Sequence, residues 1–238
     1  MIHCEKEQKD ACLICGEALV YTTEQQEKVC AVCGRAFWSN AGCINGHFVC
    51  DACHSQNSLE QVISVCTRLD SKNPIEIAQR LFKEPSVHMH GPEHHVLAGA
   101  SILTAYCNAG GKMDLDNALQ EMIARGKQIP GGACGFWGCC GAALSCGISC
   151  SILAEASPLS GEVWGKLNLL TSAVLTEVGK FGGPRCCKRD SFLAIRKTAE
   201  LINESRQVKL EVPSEHHCIF YSKNKECLKE KCPFFPKV

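Results

Sequence analysis

The residues best suited to chemistry lie in one glycine-rich stretch, PGGACGFWGCCGAALSCGISC, at positions 130–150. It carries five cysteines and almost no charge: Cys134, Cys139, Cys140, Cys146 and Cys150. Glycine lets a backbone approach a bound group closely, and thiolates bind soft metals and iron–sulfur clusters. The stretch therefore predicts a thiolate site. The alternative is that these cysteines are small buried hydrophobic residues.

A second chemical element is HMHGPEHH, at 88–95, which holds four of the nine histidines. Gly91-Pro92 predicts a helix start, and the positive end of a helix disfavours an imidazolium. These histidines should therefore stay neutral and able to bind a metal or act as bases; the alternative is a capped helix start with surface histidines. We expect His90 to lie beside a bound cofactor. The candidate catalytic groups are Glu93, His94 and His95.

The third element is the adjacent pair Cys186 and Cys187, within GGPRCCKRD. Basic residues flank the pair, and positive neighbours favour the thiolate form of a cysteine. Such a pair can ligate a cluster, form a redox disulfide, or simply lie in a turn. Arg185 is a further catalytic candidate, since it could handle substrate charge.

The first 56 residues contain eight metal-ligand side chains in four pairs: Cys12 and Cys15, Cys30 and Cys33, Cys43 and His47, Cys50 and Cys53. Zinc prefers four tetrahedral thiolate or imidazole ligands, so this spacing predicts two zinc sites. The pairs either follow one another along the chain or interleave, the first with the third and the second with the fourth, as in RING-type fingers. The sequence leaves both arrangements open. Cys4 and His54 are spare ligand candidates.

The C-terminal end offers a looser pattern of the same kind. Cys218, Cys227 and Cys232 predict a further metal site, or alternatively a thiol-rich tail folded over a loop.

Composition indicates where such thiols could persist. The chain has 20 cysteines, grouped in CxxC and CC pairs, behind a charged N-terminal segment, which predicts a reducing cytoplasm and best suits an anaerobe. No apolar run reaches the roughly 18–20 residues of a membrane span. The formal net charge of zero argues against a nucleic-acid partner.

Hydrophobic periodicity and capping residues place these groups mainly on helices. Besides the helix after Gly138, helices are predicted to start near Ser58, Asn73, Gly91, Asp114, Gly161 and Asp190. A short strand is predicted at 208–212. The expected fold is mainly α: a zinc-finger-like α+β module at 1–56, an all-helical domain carrying the thiol and histidine site at 57–206, and a cysteine-containing tail at 207–238.

The motifs HGPEHH, GGACGFWGCCGAA and GGPRCCKRDSF together resemble those of an uncharacterised cysteine-rich family of anaerobic bacteria and methanogenic archaea, catalogued as a domain of unknown function. The likeness covers most of the chain from about Cys30. It implies an anaerobic cytoplasmic setting and that these motif residues form the site, but no known activity. A methyltransferase is a candidate partner, since the domain is sometimes attached to one.

Functions from two classes follow. The first is an iron–sulfur protein with a redox or sulfur-transfer role, its cluster held by cysteines of 134–150 together with Cys186 or Cys187, and its partner a small molecule or a redox protein. The alternative is a zinc-binding interaction or regulatory module, or a soft-metal carrier, without catalysis. A thiol enzyme that uses Cys186 or Cys187 as nucleophile is a further alternative. Whether the protein is an enzyme stays undecided at this stage.

Overall fold

The computed structural model describes residues 12–205 and 207–236, with only the backbone at 57 and 58; Cys4 lies outside the described residues. The N-terminal module contains two antiparallel strands, β1 (Leu19–Val29) and β2 (Ala36–Cys43). The strands form a hairpin that pairs Leu19 with Cys43 at its open end and Val29 with Ala36 at its turn. The hairpin therefore fixes where the ligand-bearing loops can meet.

Eight α-helices follow within the described residues: α1 (Asp51–Cys66), α2 (Pro74–Leu81), α3 (His94–Asn108), α4 (Leu115–Gly126), α5 (Ala133–Phe136), α6 (Gly141–Leu153), α7 (Glu162–Gly179) and α8 (Cys187–Ser205). The tail contains two 3-10 turns, at Tyr221–Lys223 and Lys229–Lys231. The mainly α fold class with a small N-terminal sheet is therefore confirmed. None of the described helices is both long and apolar enough to cross a bilayer.

Helix α3 occupies the centre of the helical body, with α2, α4, α6 and α8 packed around it. It is buried over most of its length, because its residues are apolar or small on every face. Gly99 allows a close approach: a Cβ there would lie 2.6 Å from the Ser145 carbonyl oxygen of α6. The Gly99 N–H donates to the Ser145 hydroxyl over 2.8 Å, which fixes the two helices against each other.

Local capping signals predicted several helix ends correctly. Asn73 accepts hydrogen bonds from the N–H groups of Ile75 and Glu76 at the start of α2. Asp114 accepts from the N–H of Asn117 at the start of α4. The helix predicted from about 161 to 180 is α7, which runs Glu162–Gly179.

Other predicted helix starts were wrong. Helix α1 begins at Asp51, seven residues before the start predicted near Ser58, because Cys50 has the extended backbone conformation of an N-cap. Helix α3 begins at His94, after a tight turn at Gly91, and α6 begins at Gly141, so Cys139 precedes it.

The last two corrections concern the C-terminal third of the chain. Helix α8 begins at Cys187, with Asp190 inside its first turn, where the carboxylate accepts from the Cys186 N–H over 3.3 Å. Residues 208–212 form no strand, because the Asn203 side chain binds both backbone groups of Leu210 and the Glu211 N–H bonds to the Lys72 carbonyl.

Candidate metal centres

The N-terminal module contains two four-ligand groups in the interleaved arrangement. The first finger site consists of Cys12, Cys15, Cys43 and His47, and the second finger site of Cys30, Cys33, Cys50 and Cys53. Within each group the candidate ligand atoms lie within 4.8 Å of one another. Of the two pairings that the sequence left open, the structure therefore has the interleaved one, which is called a cross-brace.

The ligand spacing in these sites fits one ion each. Sulfur–sulfur distances are 3.5 Å between Cys15 and Cys43 and 3.9 Å between Cys33 and Cys50. Tetrahedral zinc with Zn–S bonds of about 2.3 Å separates its sulfurs by about 3.8 Å, whereas a disulfide would hold them at about 2.05 Å. His47 completes the first site, with its Nδ1 atom 3.3 Å from the Cys15 sulfur.

Glycines close the turns that aim each pair of sulfurs inward. Gly16 and Gly34 follow the first two of the three CxxC pairs and have φ values of +76° and +70°, which only glycine adopts without strain. Their N–H groups bond back to the carbonyls of Cys12 and Cys30 over 2.8 and 2.9 Å. Both sulfurs of a pair therefore point to the same side of the turn.

Several contacts among the described residues join the module to the helical body. The Asp51 carboxylate accepts from the Gly131 N–H over 2.6 Å. The Tyr21 ring lies 6.3 Å from the Phe136 ring, and the Arg185 guanidinium lies over Tyr21 at 5.4 Å. Arg185, predicted as a catalytic group, thus contacts the finger hairpin.

A second kind of thiol site lies where the tail meets α8. Four cysteines, drawn from two distant segments, line one enclosed cavity: Cys186, Cys218, Cys227 and Cys232. The cavity volume is about 20 Å³, and Arg189 and Asn224 also line it. We call this group the four-cysteine cavity. It unites the three tail cysteines predicted as metal ligands with one of the two vicinal cysteines.

Backbone N–H groups point at the sulfurs of this cavity. Phe220 donates to the Cys218 sulfur over 3.3 Å and Lys229 to the Cys227 sulfur over 3.4 Å, in each case from two residues further along the chain. The same geometry occurs at the finger ligands, from Ile14 to Cys12 and from Asn45 to Cys43. Because a neutral thiol accepts hydrogen bonds weakly, these turns are suited to thiolates bound to a metal.

Backbone strain marks the same turns. Lys229 has a φ of +51°, in the left-handed region that side chains other than glycine rarely adopt. Such conformations cost of the order of 1–3 kcal/mol and occur mostly where a site requires them. The strained residue, Lys229, lies two positions after Cys227, and its N–H is the group that donates to the Cys227 sulfur.

Asn224 connects the cavity to the histidine segment. Its side-chain amide donates to the Cys186 sulfur over 3.4 Å, and its oxygen lies 3.4 Å from Nε2 of His90. The other ring nitrogen of His90 accepts from the Cys187 N–H over 3.4 Å. His90 therefore lies beside the vicinal cysteines.

The cysteines of 134–150 divide into two sets. Cys134 is exposed, and its charge influences the pKa values of Cys140, Tyr21 and Arg185, which places it near the finger hairpin. Cys146 and Cys150 are buried in the core among the helices, and neither lines the four-cysteine cavity. Their position favours the alternative that they are small hydrophobic core residues.

This difference predicts a contrast in thiol reactivity. We expect iodoacetamide to alkylate Cys134 in the native protein at least about 100-fold faster than Cys146, because burial raises the pKa of Cys146 and each pKa unit lowers the thiolate fraction tenfold. Peptide mass spectrometry after timed labelling measures both rates, and unfolded protein serves as the control. Equal labelling of the two cysteines in the folded protein would show that α6 does not bury them.

A third group lies where α1 meets the histidine segment. The side chains of His54, His88 and Glu93 bring their ligand atoms within 4.8 Å of one another. Burial alone would raise the pKa of Glu93, but His54 and His88 hold it well below its usual value. We call these three residues the histidine–glutamate group.

The remaining predicted catalytic histidines are packed into the interior. His94 bonds through Nδ1 to the Gly91 carbonyl over 3.1 Å, and its Nε2 lies 2.9 Å from the Lys188 ammonium. His95 bonds to the Ile129 carbonyl over 3.0 Å and faces away from His94. Burial lowers the pKa of both histidines, so both are neutral.

Sequence reasoning missed several of these site residues. Asn224 and Lys188 are buried polar residues whose roles come from contacts with distant segments, so no local pattern could identify them. His54 was a spare candidate for the finger, and His88 was noted only as one histidine of its segment. The one available signal in the sequence was that His54 directly follows Cys53, in the first turn of α1.

Comparison with known proteins gives a family without an assigned activity. Residues 62–235 match the model of a family described as "Family of unknown function (DUF5714)". The match begins later than the expected start near Cys30 and includes the four-cysteine cavity but neither finger site. Neither a curated protein nor a solved structure matches the chain.

Proposed function

Because the chain belongs to this family of unknown function, DUF5714, we propose its function from the site itself: an iron–sulfur protein with a redox role. In this proposal the cluster is ligated by Cys186, Cys218, Cys227 and Cys232, and the finger sites hold zinc that maintains the N-terminal fold. The cluster ligands thus come from the residue just before α8 and from the tail, instead of from the central stretch at 134–150.

One observation carries the proposal: four cysteines from distant parts of the chain surround one enclosed cavity. Apolar packing alone does not require four thiols around one point, since larger apolar side chains fill an interior equally well. The sulfurs also attract backbone and side-chain N–H donors, including Arg189 N–H and the Asn224 amide at Cys186. Such N–H···S hydrogen bonds are among the features that set the potential of a cluster.

The spacing of the sulfurs favours a cluster over a single ion. In each finger site, all candidate ligand atoms lie within 4.8 Å of one another. Among the described residues, no group this compact contains three of the four cavity cysteines. The four are still near neighbours, because Cys227 and Cys232 both raise the pKa of Cys218, after the larger effect of burial. A cluster binds each cysteine through a different iron, so it holds the sulfurs further apart than one zinc ion does.

The environment is suited to electron transfer. Four thiolates would saturate the irons of a [4Fe–4S] cluster and leave no position for a substrate. Arg189 lines the cavity beside the thiolates, and its guanidinium is paired with the Asp190 carboxylate over 2.8 Å. A cluster held by these four cysteines would supply one-electron transfer between protein partners, and no bond of the protein would be made or broken.

Metal and sulfide analysis of protein purified without oxygen tests this proposal. We expect about four iron and four sulfide per chain and a brown colour, with most of both lost in Cys218→Ser and Cys227→Ser. Cys107→Ser is the matched control, because Cys107 is partly exposed near the end of α3 and belongs to none of the ligand groups. A wild-type protein that contains zinc and no sulfide, or a Cys227→Ser variant with full iron content, would contradict the proposal.

A second candidate function is a zinc-stabilised interaction module. It is favoured by the apolar side chains that the finger exposes, above all Val29, Val32 and Trp38, which are 62%, 61% and 68% exposed. Exposed apolar groups of this kind suit a protein partner. A colourless protein that carries only zinc would favour this function over the redox role.

A further inference from the structure

We infer that His54, His88 and Glu93 form a third kind of metal site, which binds one divalent transition-metal ion and leaves part of its coordination sphere open. This inference goes beyond the proposed redox function, because it involves different ligands, a different metal chemistry and a different place in the fold. Two imidazoles and one carboxylate suit zinc or iron(II).

The contacts within the group are those of ligands around a common centre. Nδ1 of His54 lies 3.5 Å from one Glu93 oxygen, and Nδ1 of His88 lies 3.3 Å from the other. The two imidazole rings are 4.3 Å apart between centroids and tilted by 53°. Both ring nitrogens therefore face the same carboxylate from different directions.

The group contains buried polar atoms without a hydrogen bond. The Glu93 side chain is 0% exposed, yet its Oε2 atom has no hydrogen-bond partner among the described residues, and the same holds for Nδ1 of His54. A buried carboxylate oxygen and a buried imidazole nitrogen left in this state cost free energy. One metal ion between them would satisfy both atoms at once.

The surrounding backbone holds the carboxylate in place. The other oxygen, Oε1, accepts from the His88 N–H over 2.9 Å, which fixes the loop before α3. The carboxylate folds over Gly91, where any Cβ would overlap it. The glycine of HGPEHH therefore has a direct role: it makes room for the Glu93 side chain.

The number of ligands and their exposure indicate an open site. Three protein ligands leave at least one coordination position for water or a small anion, as in catalytic and not in structural zinc sites. The side chains of His54 and His88 are 21% and 26% exposed, so the open position can face solvent. His54 also follows Cys53 directly, so an ion here would tie the finger helix to the helical body.

Titration with cobalt(II) tests the inference. Protein with its thiolate sites filled should bind one more equivalent of cobalt, with weak visible bands and without the near-ultraviolet charge-transfer absorption of cobalt–thiolate bonds. We expect this equivalent to be lost in His88→Ala and in Glu93→Gln. His217→Ala is the matched control, since His217 is exposed and outside the group.

The inference is overturned if the wild-type protein binds no such equivalent, if either variant retains it, or if His217→Ala loses it, which would indicate adventitious binding. His88 is partly exposed, so His88→Ala should fold even if Glu93→Gln does not; circular dichroism checks this. Iron and sulfide content measure the cluster separately, so failure of one proposal is distinguishable from failure of the other.

Discussion

Replacing Cys50 by serine is expected to release metal from both finger sites and to unfold the segment from residue 12 to residue 50. Cys50 is 2% exposed, and its sulfur lies 3.9 Å from that of Cys33 within the second finger site. Structural zinc contributes roughly 10–16 kcal/mol to the folding of small fingers. The interleaved ligand order spreads this loss, because one ligand pair of the second site lies between the two ligand pairs of the first site along the chain.

Zinc content per chain and hydrogen exchange of residues 12–50 measure this effect. We expect fewer than one of two zinc ions to remain, and fast exchange throughout the hairpin. Cys107→Ser makes the same chemical change away from the finger and should retain both ions. Loss of exactly one ion, with the other bound at unchanged affinity, would show that the two sites are independent and that the cross-brace does not couple them.

The pairing of the finger ligands could not be predicted from sequence, for a physical reason. Both arrangements use the same four pairs at the same spacing. The hairpin decides between them: pairing Leu19 with Cys43 brings the first ligand pair beside the third. The second pair lies in the hairpin turn, and the Ala31 N–H bonds to the Phe48 carbonyl, which brings the fourth pair next to it.

Short-range signals predicted the helices well because their physics is local. The Asn73-Pro74 and Asp114 caps act within three or four residues, so the sequence contains the whole interaction. The start of α8 was wrong because Asp190 bonds back to Cys186 from inside the helix. Sequence alone does not show whether an aspartate caps the start of a helix or lies inside its first turn.

The thiol sites were harder because their ligands come from distant segments. Cys139, Cys146 and Cys150 were predicted to share a helix face that binds a cofactor, but α6 begins at Gly141, and Cys146 and Cys150 lie in the core. A helical period shows that residues share a face and not what covers that face. The cavity instead unites Cys186 with cysteines more than 30 residues away, a contact without a local pattern.

Replacing Lys188 by methionine is expected to lower the free energy of unfolding by about 2 kcal/mol, because it leaves the His88 carbonyl and Nε2 of His94 buried without a hydrogen-bond donor. Lys188 is 1% exposed, and burial lowers its pKa to about 8. Its ammonium donates to the His88 carbonyl over 2.8 Å and lies 2.9 Å from Nε2 of His94. It also lies over the rings of Phe82 and Phe220, at 4.6 and 5.2 Å.

Methionine keeps the length of the side chain, so the loss should come from the polar contacts and not from a cavity. Denaturant unfolding measures the change, and Lys197→Met on the same helix is the matched control, because its ion pair with Glu200 is on the surface and should contribute less than about 0.5 kcal/mol. Equal stability of the two variants would show that the ammonium is not needed to hold the histidine segment against α8. A loss confined to Lys188→Met, together with weaker cobalt binding, would instead show that this lysine positions the loop from which His88 and Glu93 reach their common centre.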